Sequence, residues 1–411
     1  MTRRVAITGL GLVSPLGNTP EIFFNALMAG KSGIRRIEAD FAERLDTKIA
    51  AQAEFDPLQH FTKHKASSLD RVSQFALYAA GQAIIDAGLD MERVDKSRMG
   101  VYLGTGMGGA ASVEEGYVRL YRDSAERLKP FTVLMAMNNA AASQIGLEYG
   151  LTGANLTYST ACSSSSIAIG EAFHQVRHGY ADVMLAGGAE ALLTFGTIKA
   201  WEALRALASE DKGNASASCK PFAADRSGLV LGEGSAIVVL EDMELAKLRG
   251  AHIYAELTGY GSGNDSSHIT QPSPAGQAAA MRAALHCAGL IPSEIGYINA
   301  HGTGTPLNDP AETAAIKLAF GEHAPNIPVS STKSMHGHLM GATSAVEFVA
   351  CVLALTHGAV PPTINLQNPD PACDLDYVPN VGRRGVPLRH VMSNSFAFGG
   401  TSGVLIASRV D

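Results

Sequence analysis

Ten short apolar runs rich in β-branched residues recur along the chain, with helix-like stretches between them. Five occupy residues 5–11, 99–106, 155–160, 182–188 and 235–240, and the pattern restarts at 253–261, 295–300, 327–331, 390–396 and 403–408. Each closes on glycine or a small polar residue, or runs into a turn. Runs that are apolar throughout, rather than alternating, belong to strands buried on both faces, so helices must cover both sides of the sheets. The expected architecture is α/β, a layered body of two halves, residues 1–250 and 251–411, with the seam near Gly250. With 46% hydrophobic and 17% charged residues over 411 positions, the chain can fill such a core.

The balance of charge narrows the function. A net charge of −7 argues against a general binder of nucleic acid or of anionic membranes, both of which require a basic field. Five cysteines, at 162, 219, 287, 351 and 373, form no C-x-x-C pair and suit a reducing cytosol. The Arg3-Arg4 pair does not lead into an uninterrupted apolar run, and no stretch of 18 apolar residues is found, so neither export nor a membrane span is expected.

Chemistry concentrates at three strand ends. The run ending near Ser159 leads into Thr160-Ala161-Cys162-Ser163, and Ile169, Phe173 and Val176 then follow helical spacing. Cys162 is thus expected at a helix N-terminus, where free N–H groups favour a thiolate nucleophile; Cys287 and Cys351 read as small core residues. His301 opens a Gly-Thr-Gly-Thr loop after the 295–300 run, and His338 follows Lys333-Ser334-Met335-His336-Gly337, ahead of a helix built on Leu339, Ala342, Val346 and Val349. One cysteine and two histidines at strand ends suit acyl transfer, a thiolate carrying the acyl group and imidazoles handling carbonyl charge. A metal site using His336 and His338 is a rival, as is a nucleotide site at Gly104-Thr105-Gly106-Met107-Gly108-Gly109, although no acidic residue ends a second strand at the required distance.

Together with Asn394-Ser395-Phe396-Ala397-Phe398-Gly399-Gly400-Thr401, Ala186-Gly187-Gly188-Ala189-Glu190 and the 225–234 segment, these motifs resemble the β-ketoacyl carrier-protein synthases of the elongating Cys-His-His class. The resemblance implies a thiolase-like fold of two α/β halves in five layers, a homodimer, and no cofactor or metal. It implies that Cys162 takes the acyl chain from an acyl carrier protein, with the N–H groups of Cys162 and Phe398 as oxyanion donors. His301 and His338 would promote decarboxylation of malonyl carrier protein, Lys333 would fix the site and Glu347 would support it. Thr303 and Thr305 match positions that touch the pantetheine arm, and Met107 and Trp201 match the acyl tunnel. Lys63 and Lys65 with Arg71, and Arg127 and Lys129 with Arg122, are the candidate docking cations for an acidic carrier protein.

The chain departs from the usual elongating pattern at Ala397, Ser402, Ala223 and His336, and its Ser163 to Ser166 run is closer to polyketide-type synthases. Fatty-acid and polyene or polyketide pathways therefore both remain open. The alternative of a non-condensing chain-length-factor-like subunit, partner to a catalytic mate, is disfavoured by the presence of Cys162, and a thiolase would carry a second cysteine within 396–403.

Overall fold

The computed structural model describes residues 2–410, and each of the ten apolar runs forms a strand. They are β1 (Val5–Val13), β2 (Met99–Gly104), β3 (Asn155–Tyr158), β4 (Val183–Glu190), β5 (Gly234–Asp242), β6 (Ala255–Asn264), β7 (Tyr297–Asn299), β8 (Val329–Ser330), β9 (His390–Phe396) and β10 (Thr401–Ser408). Their spatial order is β8-β7-β9-β10-β6-β1-β5-β4-β2-β3. Counted outwards from the β6-β1 seam, each half repeats the order first, fifth, fourth, second, third. The halves meet where β1 pairs antiparallel with β6, Val5 opposite Leu257, Ala6 opposite Glu256 and Ile7 opposite Ala255, so one continuous sheet runs through both.

Five layers follow from which helices cover which face. On the N-terminal half, α1 (Arg71–Asp86) and α2 (Ala140–Tyr149) cover the outer face; on the C-terminal half, α5 (Pro274–Ala288) and α6 (Asn308–Phe320) do. Between the halves lie α3 (Ser164–Arg177) and α8 (Thr343–His357), packed on each other and on both sets of strands. The remaining helices used below are α4 (Phe195–Ala203) and α7 (Lys333–His336). Helix α8 is buried on nearly all sides, which explains its all-round apolar sequence. The 18-residue stretch Met340–His357 is long and apolar enough to cross a membrane, yet 89% of it is buried inside the fold.

Both central helices direct their N-termini at the same place. Ser166 N–H donates to Ser344 Oγ at 2.9 Å, and Ala345 N–H donates to Ser165 Oγ at 2.9 Å, so each helix caps the other. The serine run after Cys162 therefore satisfies N–H groups that burial would otherwise leave unpaired. Strand ends lacking side chains let these helices approach. A Cβ on Gly104 would lie 2.3 Å from Ser164 C and Ser165 N, and one on Gly403 would lie 2.3 Å from Ser166 Oγ.

Gly104→Ala should accordingly push α3 off β2 and cost roughly 1–3 kcal/mol. Gly263→Ala, with nothing within 4 Å of its new methyl, should be near neutral. Urea unfolding of the two variants checks the contrast, and equal stability would contradict this packing.

Candidate active site

Cys162 sits in a single 3₁₀ turn, Ala161–Ser163, that leads directly into α3. Ala161 just before it holds φ +52°, a left-handed conformation that residues with a Cβ rarely adopt and that costs about 1 kcal/mol or more. Ser164 Oγ stabilises this bend, accepting from Thr160 N–H at 2.9 Å and donating to Ala161 O at 2.7 Å. The turn places the Cys162 sulfur and one ring nitrogen of each of His301 and His338 within 4.8 Å of one another, all three residues being buried. The two rings meet edge to face with centroids 5.4 Å apart.

Buried carboxylates fix the loops that deliver these groups. Glu312 accepts the N–H groups of His301 at 2.8 Å and Gly302 at 2.7 Å, and Asp309 accepts those of Phe222 at 2.8 Å and Gly304 at 3.2 Å. Glu190 accepts from Gly106, Met107 and Gly341, joining the loop after β2 to the turn before α8. His338 enters through a parallel bridge, its N–H donating to Val230 O at 2.7 Å and its carbonyl accepting from Gly232 N–H at 2.8 Å. The helix expected to begin at Leu339 starts instead at Thr343, after a 3₁₀ turn at Met340–Ala342, because the 338–342 stretch is tied to these neighbours.

Hydrogen bonds settle where the imidazole protons are. His338 Nδ1 accepts the Met340 N–H at 3.1 Å and lies 2.9 Å from Thr343 Oγ1, while His301 Nδ1 lies 3.4 Å from the Lys333 ammonium. An ammonium and an amide N–H can only donate, so both Nδ1 atoms are acceptors and both protons sit on Nε2. Burial and the Lys333 charge hold both rings well below the ordinary imidazole range, with each ring further depressed by a neighbouring histidine. The site therefore presents two neutral N–H donors. The spacing of Cys162, His301 and His338 is also compatible with a metal ion. His336, the other ligand of the metal reading, turns both ring nitrogens to Thr332 and Gly337.

One expectation is corrected. The helix N-terminus does not make Cys162 a resting thiolate: burial pushes the thiol up to about 12, against the opposing pull of Lys333 and of the backbone N–H groups of Phe398 and Cys162 at the sulfur. Lys333 itself is fully buried and pairs with Glu347 Oε1 at 2.7 Å.

A cavity of about 320 Å³ opens from Cys162, His301 and His338 to the surface. Thr303 and Thr305 line it, hydroxyls 2.9 Å apart, as do Phe398 and Trp201, whose rings stack at 6.1 Å. The 265–272 loop also lines it, with Asp265, His268 and Gln271, and so does Arg205 at φ +54°. Sequence reading passed over these because none stands beside a chemical motif. Met107 does not line the cavity; it lies 47% exposed, on the same half as the exposed Tyr117, Val133, Met137 and Leu156. Among the docking cations, Lys63 and Arg127 are exposed, but Lys65 pairs with Glu148 at 2.5 Å, Lys129 with Glu115 at 2.7 Å and Arg122 with Asp123 at 2.7 Å. Arg71 is about a third exposed and is bound to the buried Glu233 at 2.7 Å.

Residues 2–246 match the family model of the β-ketoacyl synthase N-terminal domain, and residues 254–367 match that of the C-terminal domain. The chain belongs to the β-ketoacyl synthase family. It is 44% identical over 411 residues to the 3-oxoacyl-[acyl-carrier-protein] synthase 2 of Coxiella burnetii, covering 99% of both chains. It is equally 44% identical over 410 residues to the nodulation protein E of Rhizobium meliloti, covering both chains in full. Among solved structures, a ketosynthase captured with its type II polyketide acyl-carrier protein and bound to the hexaketide superposes with a TM-score of 0.91 at 37% identity, each chain fully covered. The protein is thus an acyl-transferring condensing enzyme with a thiolase-like fold.

The tautomer assignment makes a direct prediction. Because the folded protein holds both rings well below their ordinary range, protonation is displaced to lower pH, and His301 and His338 should stay neutral where a free imidazole is already protonated. Imidazole nitrogen shifts in labelled protein check this; a midpoint near the ordinary value for either ring would contradict it.

Proposed function

We propose that Cys162 is the acyl-carrying nucleophile, and that His301 and His338 stabilise the enolate formed when malonyl carrier protein loses carbon dioxide. The observation that carries this reading is the pair of neutral Nε2–H donors beside one buried thiol at the end of a cavity. In the first half-reaction the Cys162 sulfur attacks the carrier-bound thioester. Its proton passes to the departing pantetheine thiol, and the oxyanion faces the N–H groups of Cys162 and Phe398. In the second, the carboxylate carbon bond of malonyl carrier protein breaks and releases carbon dioxide. The electron pair becomes an enolate held by the two imidazoles, and its carbon attacks the Cys162 thioester. The sulfur leaves as the thiolate and takes a proton from solvent water entering the cavity, and the β-ketoacyl chain departs on the carrier protein. Lys333 and Glu347 act behind His301, and no cofactor or metal takes part.

Thr303 and Thr305 are proposed to hold the pantetheine arm, since both line the cavity that reaches Cys162. Arg205 at the mouth, with Lys63 and Arg127, then supplies positive charge for an acidic carrier protein; Lys65 and Lys129 can join only by leaving their carboxylate partners. Trp201 borders the acyl end, and Met107 could floor a tunnel only beneath a second subunit. Such a subunit has a surface to meet: β3 is an edge strand paired on one side only, with Leu156 half exposed upon it. A second copy of the chain, or a related subunit of the same fold, is the proposed occupant, in the cytoplasm. The non-condensing reading is not favoured, because the nucleophile and both donors are assembled.

Intact mass after incubation with acyl carrier proteins should show one acyl adduct on the wild type and none on Cys162→Ala, and malonyl carrier protein should then yield a β-ketoacyl product. Absence of any adduct with every acyl group would overturn the reading. Separately, Arg205→Glu should raise the apparent KM for carrier protein several-fold at unchanged kcat, an effect weakened by salt; an unchanged KM would remove Arg205 from the docking surface.

A further inference from the structure

One buried titratable residue is wired into this site without facing the cavity. His336 closes α7, is fully buried, and uses both ring nitrogens. Nδ1 lies 2.8 Å from Gly337 O and Nε2 lies 2.9 Å from Thr332 Oγ1. A carbonyl can only accept, so Nδ1 carries the proton and Nε2 takes the threonine hydroxyl. Asn299 Nδ2 donates to that same Thr332 Oγ1 at 3.2 Å. The bonds therefore run from Asn299 through Thr332 and His336 to the Gly337 carbonyl.

Thr332 and Gly337, the two residues that the His336 ring joins, stand just before Lys333 and just before His338. Helix α7 has four residues, too few to hold its own geometry, so a link between its two ends matters more than it would in a long helix. Its exit is equally constrained. Gly337 holds φ +70° and ψ −166°, and a Cβ there would lie 2.9 Å from Ala51 Cβ. We propose that His336 is a positioning residue for the decarboxylating half of the reaction, its ring fixing together the turn that aims Lys333 at His301 and the peptide that enters His338. The oxyanion donors of the acyl-transfer half rest on the 160–163 turn and the 396–402 loop, outside this chain of bonds, so the two halves should respond differently. This inference rests on the condensing mechanism proposed above.

His336→Leu keeps volume and loses both bonds, His336→Asn can restore the N–H to Gly337, and His336→Gln reaches only towards Thr332. Acylation of Cys162 and carbon dioxide release from malonyl carrier protein are measured separately, with melting temperatures alongside. The expected result for the leucine variant is decarboxylation kcat lowered about ten-fold at unchanged KM, acylation within about two-fold, and recovery by asparagine beyond that by glutamine. Loss of both half-reactions by one common factor, no loss in either, or equal behaviour of asparagine and glutamine would overturn it. Should the leucine variant not fold, the asparagine and glutamine pair decides alone. A wild-type protein that releases no carbon dioxide would instead sink the condensing mechanism itself.

Discussion

The meeting of two helix N-termini in the middle layer is the constraint on which the rest of this structure depends. Helices α3 and α8 each bring unpaired N–H groups to a place without solvent, and each supplies the serine hydroxyls that satisfy the other. Such a junction tolerates no excess volume, which is why strand and turn positions around it are glycines: Gly104 and Gly188 approach Ser165, Gly403 approaches Ser166, and Gly341 approaches Gly106. The strained turn at Ala161 and the three-way clamp of Glu190 follow from the same crowding. Cys162 is therefore held by close helix packing rather than by a flexible loop, and its geometry is set before any substrate arrives.

What the sequence exposes and what it hides divide along a physical line. All ten strands were legible because each is an apolar run that closes on glycine or a small polar residue or runs into a turn, a local pattern that buried sheet packing enforces. Cys162, His301 and His338 were legible because each follows such a run. Quantities set by many distant residues were not. The thiol was expected to ionise at a helix end, a local argument, but burial by residues from both halves outweighs the helix end. Arg71 was grouped with surface cations by proximity in sequence, whereas Glu233, 162 positions away, binds it and leaves its side chain only partly exposed. Met107 matched a tunnel position by motif, whereas the cavity in this chain does not reach it. The 265–272 loop had no marker of its own and enters the site only because β6 and α5 place it over the cavity mouth.

The distribution of charge explains why a lysine so near the reaction does not obstruct it. Decarboxylation moves negative charge from a carboxylate to an enolate oxygen, so only interactions that favour the second position over the first accelerate it. An ammonium facing the cavity would hold the malonyl carboxylate and stabilise the starting state. Lys333 does not line the cavity; it is bound to Glu347 at 2.7 Å on one side and meets His301 Nδ1 at 3.4 Å on another. Its charge is paired with Glu347 and acts on the neighbouring rings and thiol from behind; in the proposed mechanism the group that meets the substrate is the Nε2–H of His301. His338 offers the matching donor through a wholly different set of bonds, from Met340 and Thr343. Two neutral donors fixed at one point gain most from charge that appears there during the reaction and little from charge elsewhere, which is the differential stabilisation that carbon dioxide loss requires.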